Sequence, residues 1–437
     1  MSKNLGNVDP VTTMLGTDSI LVEIGGSIRR ITVNELQAAL NQGQKALLQQ
    51  VAWGVPLEKS SSPAWGVEGN LVMRDEYLSH CGRIFLTNDG KAAKLSSLDS
   101  SIFADGTALD ETQGHVMFYA PRLYYLVQTD EITGVTYLWM SQIPIGGHFI
   151  PESCFGAYMG YLNGNALTSR SGVNVTGSKT ITAYWNAAQV NGVNFGLINY
   201  DHQRLMIMLN LMQFGNPNCQ VNIGYGTGGS STDLDIFSEA AKLQTGATKS
   251  LGDACGKIDI TLTKTTSDNK TLTTQNASRV NLFGIEDAWC WYWCMLQGLY
   301  FGSSNNDGQD GSEVFIYEGN RLPSSTELAT HPEGNYRQIV RPVSPFYPKA
   351  WVLGEYFDIL AKTSGGSTSS YWCDYYYANA TGQLPLWGGG ASYGSLAGLG
   401  YASTNLAWSS ASASFGSRLA YYGKLNWMSG ANLVASL

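Results

Sequence analysis

Apolar and polar positions along the chain separate three stretches. Near the start, LVEI and SIRRITV flank Gly25-Gly26 and read as two strands around a tight turn. Thr32 and Glu35 have capping-box spacing, and Leu36, Ala39, Leu40, Leu47, Leu48 and Val51 continue as one apolar stripe. That predicts a helix, with Gly43 as its break. From about residue 56 to 145 the pattern is strand-like. Asn88-Asp89-Gly90 centres a hairpin in GRIFLTNDGKAAKL, and Thr133-Gly134 divides further strands in HVMFYAPRLYYLVQTDEITGVTYLWMSQIPI. From about 146 onward helices and strands mix. Thr180 to Val190 predicts a short helix closed by Asn191-Gly192, and Asp201 is placed to cap a second helix through Leu205, Met208, Leu209 and Met212 that stops at Gly215. The second helix is apolar nearly all round, so it is expected to be buried. KIDITLTKT reads as a strand. FGIEDAWCWYWCMLQGLYFG reads as a second buried segment, with Glu286 and Asp287 at a helix start. Turns and short strands fill the tail, and no internal repeat is visible.

Length sharpens this into domains. A chain of 437 residues is expected to hold about three. They are an attachment or oligomerisation module over 1–55, a β-rich intermediate domain over 56–145, and an α+β domain over 146–437. Charged residues make up only 14%, net charge is −8, and Lys and Arg form no cluster, which excludes nucleic acid and anionic membranes as general partners. No run reaches the ~18 apolar residues of a membrane span, and MSKNLGNVDPVTTMLG has no signal-peptide core. A soluble protein made in the cytoplasm is expected. Seven scattered cysteines suggest reduced, buried thiols.

Catalytic patterns fail on their own terms. GASYG places Ser392 in a G-x-S-x-G pattern, but the last histidine is His331, upstream, so no triad order is available. Cys290 and Cys294 would share a helix face, yet no further ligand converges, and packing is expected. NNDGQDG (305–311) lacks the acidic pattern of a calcium loop, and GYGTGG (224–229) has no following Lys-Ser/Thr. The five histidines show no metal or triad spacing. No enzyme, metal or cofactor is expected.

From Tyr375 to Ser417 there is no charged residue at all. The stretch uses Gly, Ser, Ala, Asn, Tyr and Trp, the alphabet of antibody-like binding surfaces, in which aromatics give rigid contact area and small polar residues give adaptable hydrogen bonds. An ordered, exposed recognition surface is expected there.

Several blocks together resemble one family. WCDYYYANATGQ, WGGGASYGSLAGLG and FGSRLAYYG resemble the C-terminal end of phage C-type-lectin-fold proteins, including the variable proteins of diversity-generating retroelements that determine tropism at tail tips. FGIEDAWCWYW resembles the G-I-E-N…W core helix shared with formylglycine-generating-type domains, with Asp287 where the family usually has Asn. GTDSILVEIGGSIRRITVNEL is similar to the virion-anchoring start of phage tail proteins. The resemblance implies a C-type-lectin-like C-terminal domain with a variable region over about 371–424, preceded by the β-rich region and an N-terminal anchor. It implies a tail adhesin, carried on the virion, that binds a host cell-surface receptor, touches other tail proteins through its N-terminus and forms a homotrimer. Gly388, Gly389, Ala397, Gly398, Gly416, Arg418 and Leu419 fall on the family's fixed positions. The replaceable contact face is then Tyr375, Tyr377, Ser392, Tyr393, Leu396, Leu399, Tyr401, Ser403, Asn405, Trp408, Ser410, Ser412 and Phe415. About half of these are expected to pack inside instead, Trp408 and Phe415 first, because large aromatics are more often buried. The EPN, QPD and WND signatures of calcium-dependent lectins are missing, so calcium-dependent sugar binding is not expected. The alternatives are a structural tail protein with no receptor role and a formylglycine-generating-type enzyme. The enzyme lacks its cysteine pair, since Cys373 is the only cysteine after Cys294.

Overall fold

The computed structural model describes residues 19–24, 27–32, 43–57, 65–130, 133–226, 244–265, 271–302, 311–330, 337–342, 347–369, 372–378 and 383–437. The chain is mixed α and β, mostly sheet. Ser19–Ile24 pairs antiparallel with Ser27–Thr32 as expected. The capping pair Thr32/Glu35 falls partly outside the described residues. Residues 43–51 are helical, and the part of the predicted stripe before Gly43 lies outside the described residues. Leu48 faces inward while Leu47 is exposed.

Two largely antiparallel sheets dominate the first half. In one sheet the strand order is His148–Ile150, Leu123–Thr129, Thr136–Ser141, Trp53–Pro56, Glu68–Gly69. The Thr133-Gly134 hairpin is present, with Thr129 opposite Thr136. The other sheet has seven strands in the order Phe195–Leu197, Leu419–Tyr421, Ser153–Gly156, His115–Ala120, Gly82–Leu86, Lys91–Lys94, Asn426–Trp427. Leu86 lies opposite Ala92, which places the Asn88-Asp89-Gly90 turn as predicted; Gly90 has a φ of 85°, the left-handed region that a non-glycine residue enters at a cost. This sheet contradicts the boundary near 145. Strands at 82–120 are zipped to strands at 153–156, 195–197 and 419–421, so the β-rich region and residues 146–437 are not separate units. The boundary at 55 also fails, because Trp53–Pro56 is an inner strand and Trp53 is fully buried.

The Ile181–Gln189 helix starts where Thr180 caps it, the side chain accepting from Ala183 N. The next helix, Tyr200–Phe214, is buried over most of its length and ends at Gly215 in the left-handed conformation. Its cap is Asn199, not Asp201. Asn199 accepts from His202 N, and His202 Nδ1 accepts in turn from Asn199 N at 3.2 Å. Asp201 sits in the first turn and pairs with Arg204. KIDITLTKT lies in the strand Gly256–Thr265, which pairs with Thr271–Leu282.

The segment 283–301 is not a helix. It carries short strands Ile285–Glu286, Trp293–Met295 and Leu299–Phe301, and its backbone turns through left-handed φ at Phe283, Asp287, Cys290 and Trp291. The reason lies in its partners. Cys290 N donates to Gly388 O, Trp293 N to Ser414 O and Gln297 N to Ile198 O, so the amides bond the tail and the core rather than the preceding turn. Aromatic residues, weak helix formers, leave little local preference to resist this. Cys290 and Cys294 therefore share no helix face, and Glu286 and Asp287 cap nothing. Their carboxylates instead take the buried Arg279, whose guanidinium reaches Glu286 Oε1 at 2.9 Å.

The tail forms its own sheet, ordered Tyr376–Ala378, Ala402–Thr404, Leu386–Trp387, Trp293–Met295, Phe415–Gly416. The main apolar core runs from Trp53 through the helix Tyr200–Phe214 to Trp289, Trp291, Trp351, Trp372 and Trp387, and a second one gathers Ile84, Phe195, Trp293, Leu386, Phe415 and Leu419.

Candidate functional site

The uncharged stretch is built on a buried frame. Gly388 and Gly389 have φ of 89° and 83°, which side chains rarely adopt, and a Cβ on Gly389 would lie 2.7 Å from that of Ala397. Gly388 N donates to Tyr401 O, and its carbonyl accepts from Gly398 N. The loop between them is held from below. Gln203 and Trp387 both donate to Leu399 O, at 2.8 and 3.0 Å, and Gln220 donates to Gly394 O at 2.7 Å.

Asp374 completes the frame. One carboxylate oxygen accepts from Gly400 N at 2.7 Å, the other from the Cys373 thiol. Gly398 passes so close that a Cβ there would stand 2.0 Å from Asp374 Oδ1. Burial pushes the Asp374 carboxyl up to about 7.

Arg418 closes the frame at its far end. Its guanidinium is buried and donates to four backbone carbonyls: Gly156 at 3.1 Å, Ala157 at 3.0 Å, Glu286 at 2.6 Å and Asp287 at 2.8 Å. Leu419 beside it is buried in the seven-stranded sheet, and a Cβ on Gly416 would meet the Met159 methyl at 2.6 Å. The positions expected as scaffold are thus all inside, each with a steric or hydrogen-bonding reason.

The expected contact residues divide. Ser392 is exposed on the short 3-10 turn Ala391–Leu396, which Gly394 kinks at a φ of 48°. Tyr375, Tyr377, Tyr393, Leu396, Asn405, Trp408, Ser410 and Ser412 are half-buried and reach the surface. Leu399, Tyr401, Ser403 and Phe415 are buried at 2%, 2%, 6% and 7% exposure, so these four support the face rather than form it. Ser403 lies in the strand Ala402–Thr404, flanked on both sides in its sheet, and its hydroxyl donates to Asn405. Of the two aromatics expected inside, Phe415 is buried, whereas Trp408 stays half-exposed and packs against the buried Tyr300, Phe315 and Tyr317 group.

Tyr401 is the centre of an aromatic group. Trp293 lies 4.7 Å below it, and Tyr393 and Tyr375 stand edge-on at 5.4 and 5.9 Å. Tyr347 adds its ring against Tyr375 at 5.0 Å. Sequence reasoning missed Tyr347, 28 positions before Tyr375 in a segment without a motif, and the exposed Ser395, Ala407, Ser409, Ala411 and Ala413, which alternate with the residues it chose. Such rings offer a rigid, largely apolar platform edged by hydroxyls.

Two of the histidines are structural: His115 Nε2 lies 2.8 Å from Asn88 Oδ1, and His202 completes its helix cap, where burial pulls its pKa down to about 4. No disulfide joins the seven cysteines. Among the described residues no group of three or more His, Cys, Asp or Glu is placed to hold a metal, and no helix is long and apolar enough to cross a membrane. Most of NNDGQDG and the second half of GYGTGG lie outside the described residues. No protein-family model matches the chain, and no curated protein matches it.

Proposed function

We propose that this chain is a phage tail-tip or tail-fibre adhesin whose C-terminal part is a C-type-lectin-fold domain that binds a host cell-surface receptor. One observation carries the reading. A continuous charge-free stretch presents Ser392, Tyr393, Ser395, Leu396 and the 405–414 loop at the surface, while every fixed position beneath them is buried and bonded. Surface residues can then change without cost to the frame, which is what a diversified receptor face requires. Replacement of adenines in Asn codons yields Tyr, Ser, Gly, Ala, Leu, Thr or Phe, the types found there. Several copies on one virion, as a homotrimer or an array, add avidity to a weak uncharged contact.

Adsorption of virions carrying Ser392→Tyr, Ser395→Tyr or Trp408→Ser tests this. Host range or adsorption rate should shift while virion yield stays constant. Unchanged adsorption in all three favours the structural tail protein. The N-terminal anchor is tested by deleting residues 1–42, which spares the buried strand Trp53–Pro56. Virions should lose the protein, while the purified deletion protein still binds cells. An enzyme of the formylglycine-generating type needs a reactive thiol pair; Cys373 is a free, buried thiol that donates to Asp374.

A further inference from the structure

A cleft of 670 Å³ opens where the edge strand His148–Ile150, the start of the helix Tyr200–Phe214 and the end of the strand Gly311–Ile316 meet. Its size falls within the ~300–1,000 Å³ of small-molecule sites. None of its lining residues belongs to the uncharged stretch.

The walls are aromatic. Tyr356 stacks on His148 at 4.0 Å and carries the Arg337 guanidinium 4.2 Å from its ring centre. Phe149, half exposed at the mouth, and Tyr422 add apolar surface. Both arginines of the cleft already face carboxylates, while the buried Arg204 Nε keeps no partner among the described residues. Arg204 is paired with Asp201 and also donates to the Tyr125 hydroxyl at 2.9 Å, and Arg337 reaches both oxygens of Asp358. Glu152 and Glu318 add exposed negative charge at the rim.

This pattern selects a ligand class. An anion would have to displace Asp201 or Asp358 from its arginine and approach Glu152 and Glu318. A purely apolar ligand would bury the ion pairs without replacing their water. A neutral ligand with apolar faces and many hydroxyls does neither. Its hydroxyls can donate to carboxylate oxygens and accept from guanidinium N–H groups without breaking the pairs, while its C–H faces cover the rings. We propose that this cleft binds a neutral oligosaccharide. The site is independent of the receptor reading; it stands or falls on the purified protein, whatever the 375–417 face contacts.

Saturation-transfer NMR on the full chain tests it, with lactose, maltotriose and chitotriose as probes and sialyllactose as the charged comparator. At least one neutral probe should bind, with a dissociation constant on the order of millimolar, and sialyllactose should bind no better than lactose. Phe149→Ala, a half-exposed position whose loss leaves the core intact, and Tyr356→Ala should each weaken binding about tenfold. Tyr393→Ala, outside the cleft, should leave it unchanged. No signal from any neutral probe overturns the proposal. So does a preference for sialyllactose, or binding untouched by Phe149→Ala.

Discussion

Replacing Arg418 with Ala removes the guanidinium that joins the end of the uncharged stretch to the backbone at 156–157 and 286–287. Four charged hydrogen bonds of 2.6 to 3.1 Å are lost. Each is worth ~1.5–3 kcal/mol in isolation, and each carbonyl left without a donor costs ~1–3 kcal/mol. Two effects reduce the sum. Burial disfavours the cation itself, holding the Arg418 pKa below its ordinary value, and that penalty disappears with the side chain. Ala157 O also keeps a second donor, Glu286 N at 2.9 Å. The net loss is about 3–5 kcal/mol, in line with breaking other buried charged networks. At roughly 1 °C per kcal/mol for a chain of this size, Tm should fall by about 3–5 °C. Arg418→Lys keeps the charge but offers a point donor in place of a planar fork, and should lose about half as much. Thermal unfolding followed by tryptophan fluorescence at one fixed scan rate measures both. If Arg418→Ala melts within about 1 °C of the parent, the four-carbonyl clamp does not hold the frame and the reasoning is wrong.

Asp374 predicts a pH effect. Its folded pKa, about 7, lies above the ordinary 3.8, so the folded state holds a proton that the unfolded state has released; stability from this group is fully present below about pH 4 and is lost as pH rises through 7. Asp374→Asn, which keeps an oxygen for Gly400 N, should therefore raise Tm relative to the parent at pH 8, and the gain should vanish by pH 4; a gain that grows on acidification refutes this. Gly398→Ala forces a methyl against the Asp374 carboxylate and should cost ~1–3 kcal/mol, read as a lower Tm; an unchanged Tm would mean that the loop moves freely. Only Cys255 and Cys294 are partly exposed, and burial lifts their thiols to about 12 and about 11. A thiol reagent at pH 8 should label few or none of the seven in the native protein and all of them in denaturant, and fast labelling of three or more would contradict the packing.

Much of the local structure was legible because it is locally determined. Asn88-Asp89-Gly90 specifies its turn, Thr180 caps its helix, and Gly215 ends the next, all through short-range bonding. The misreadings share another cause. In 283–301 nearly every side chain is buried, so no face is polar and no period is visible; the fold of the segment is set by Gly388, Ser414 and Ile198, far away in sequence. Ser403 is hidden for the same reason, since every residue of its central strand is buried, and Tyr401 just before it sinks onto Trp293. The pairing of Asp374 with Gly398 depends on a close approach that no motif announces. Asp201 lost the cap to Asn199 because two suitable residues stood two positions apart and only the backbone dihedral decides between them.

The strand Leu419–Tyr421 has a consequence for how the protein is made. It sits inside the seven-stranded sheet, between Phe195–Leu197 and Ser153–Gly156, and Asn426–Trp427 then borders Lys91–Lys94. A ribosome that has released only the residues before Leu419 has therefore delivered a sheet with an inner strand missing and two neighbours waiting with open edges. Such pairing across hundreds of residues is slow, and the exposed edges invite association with other nascent chains. Completion of the sheet is a checkpoint on full-length synthesis. A chain cut short by a stop codon within the uncharged stretch never acquires its closing strand, and is destined for proteolysis rather than assembly.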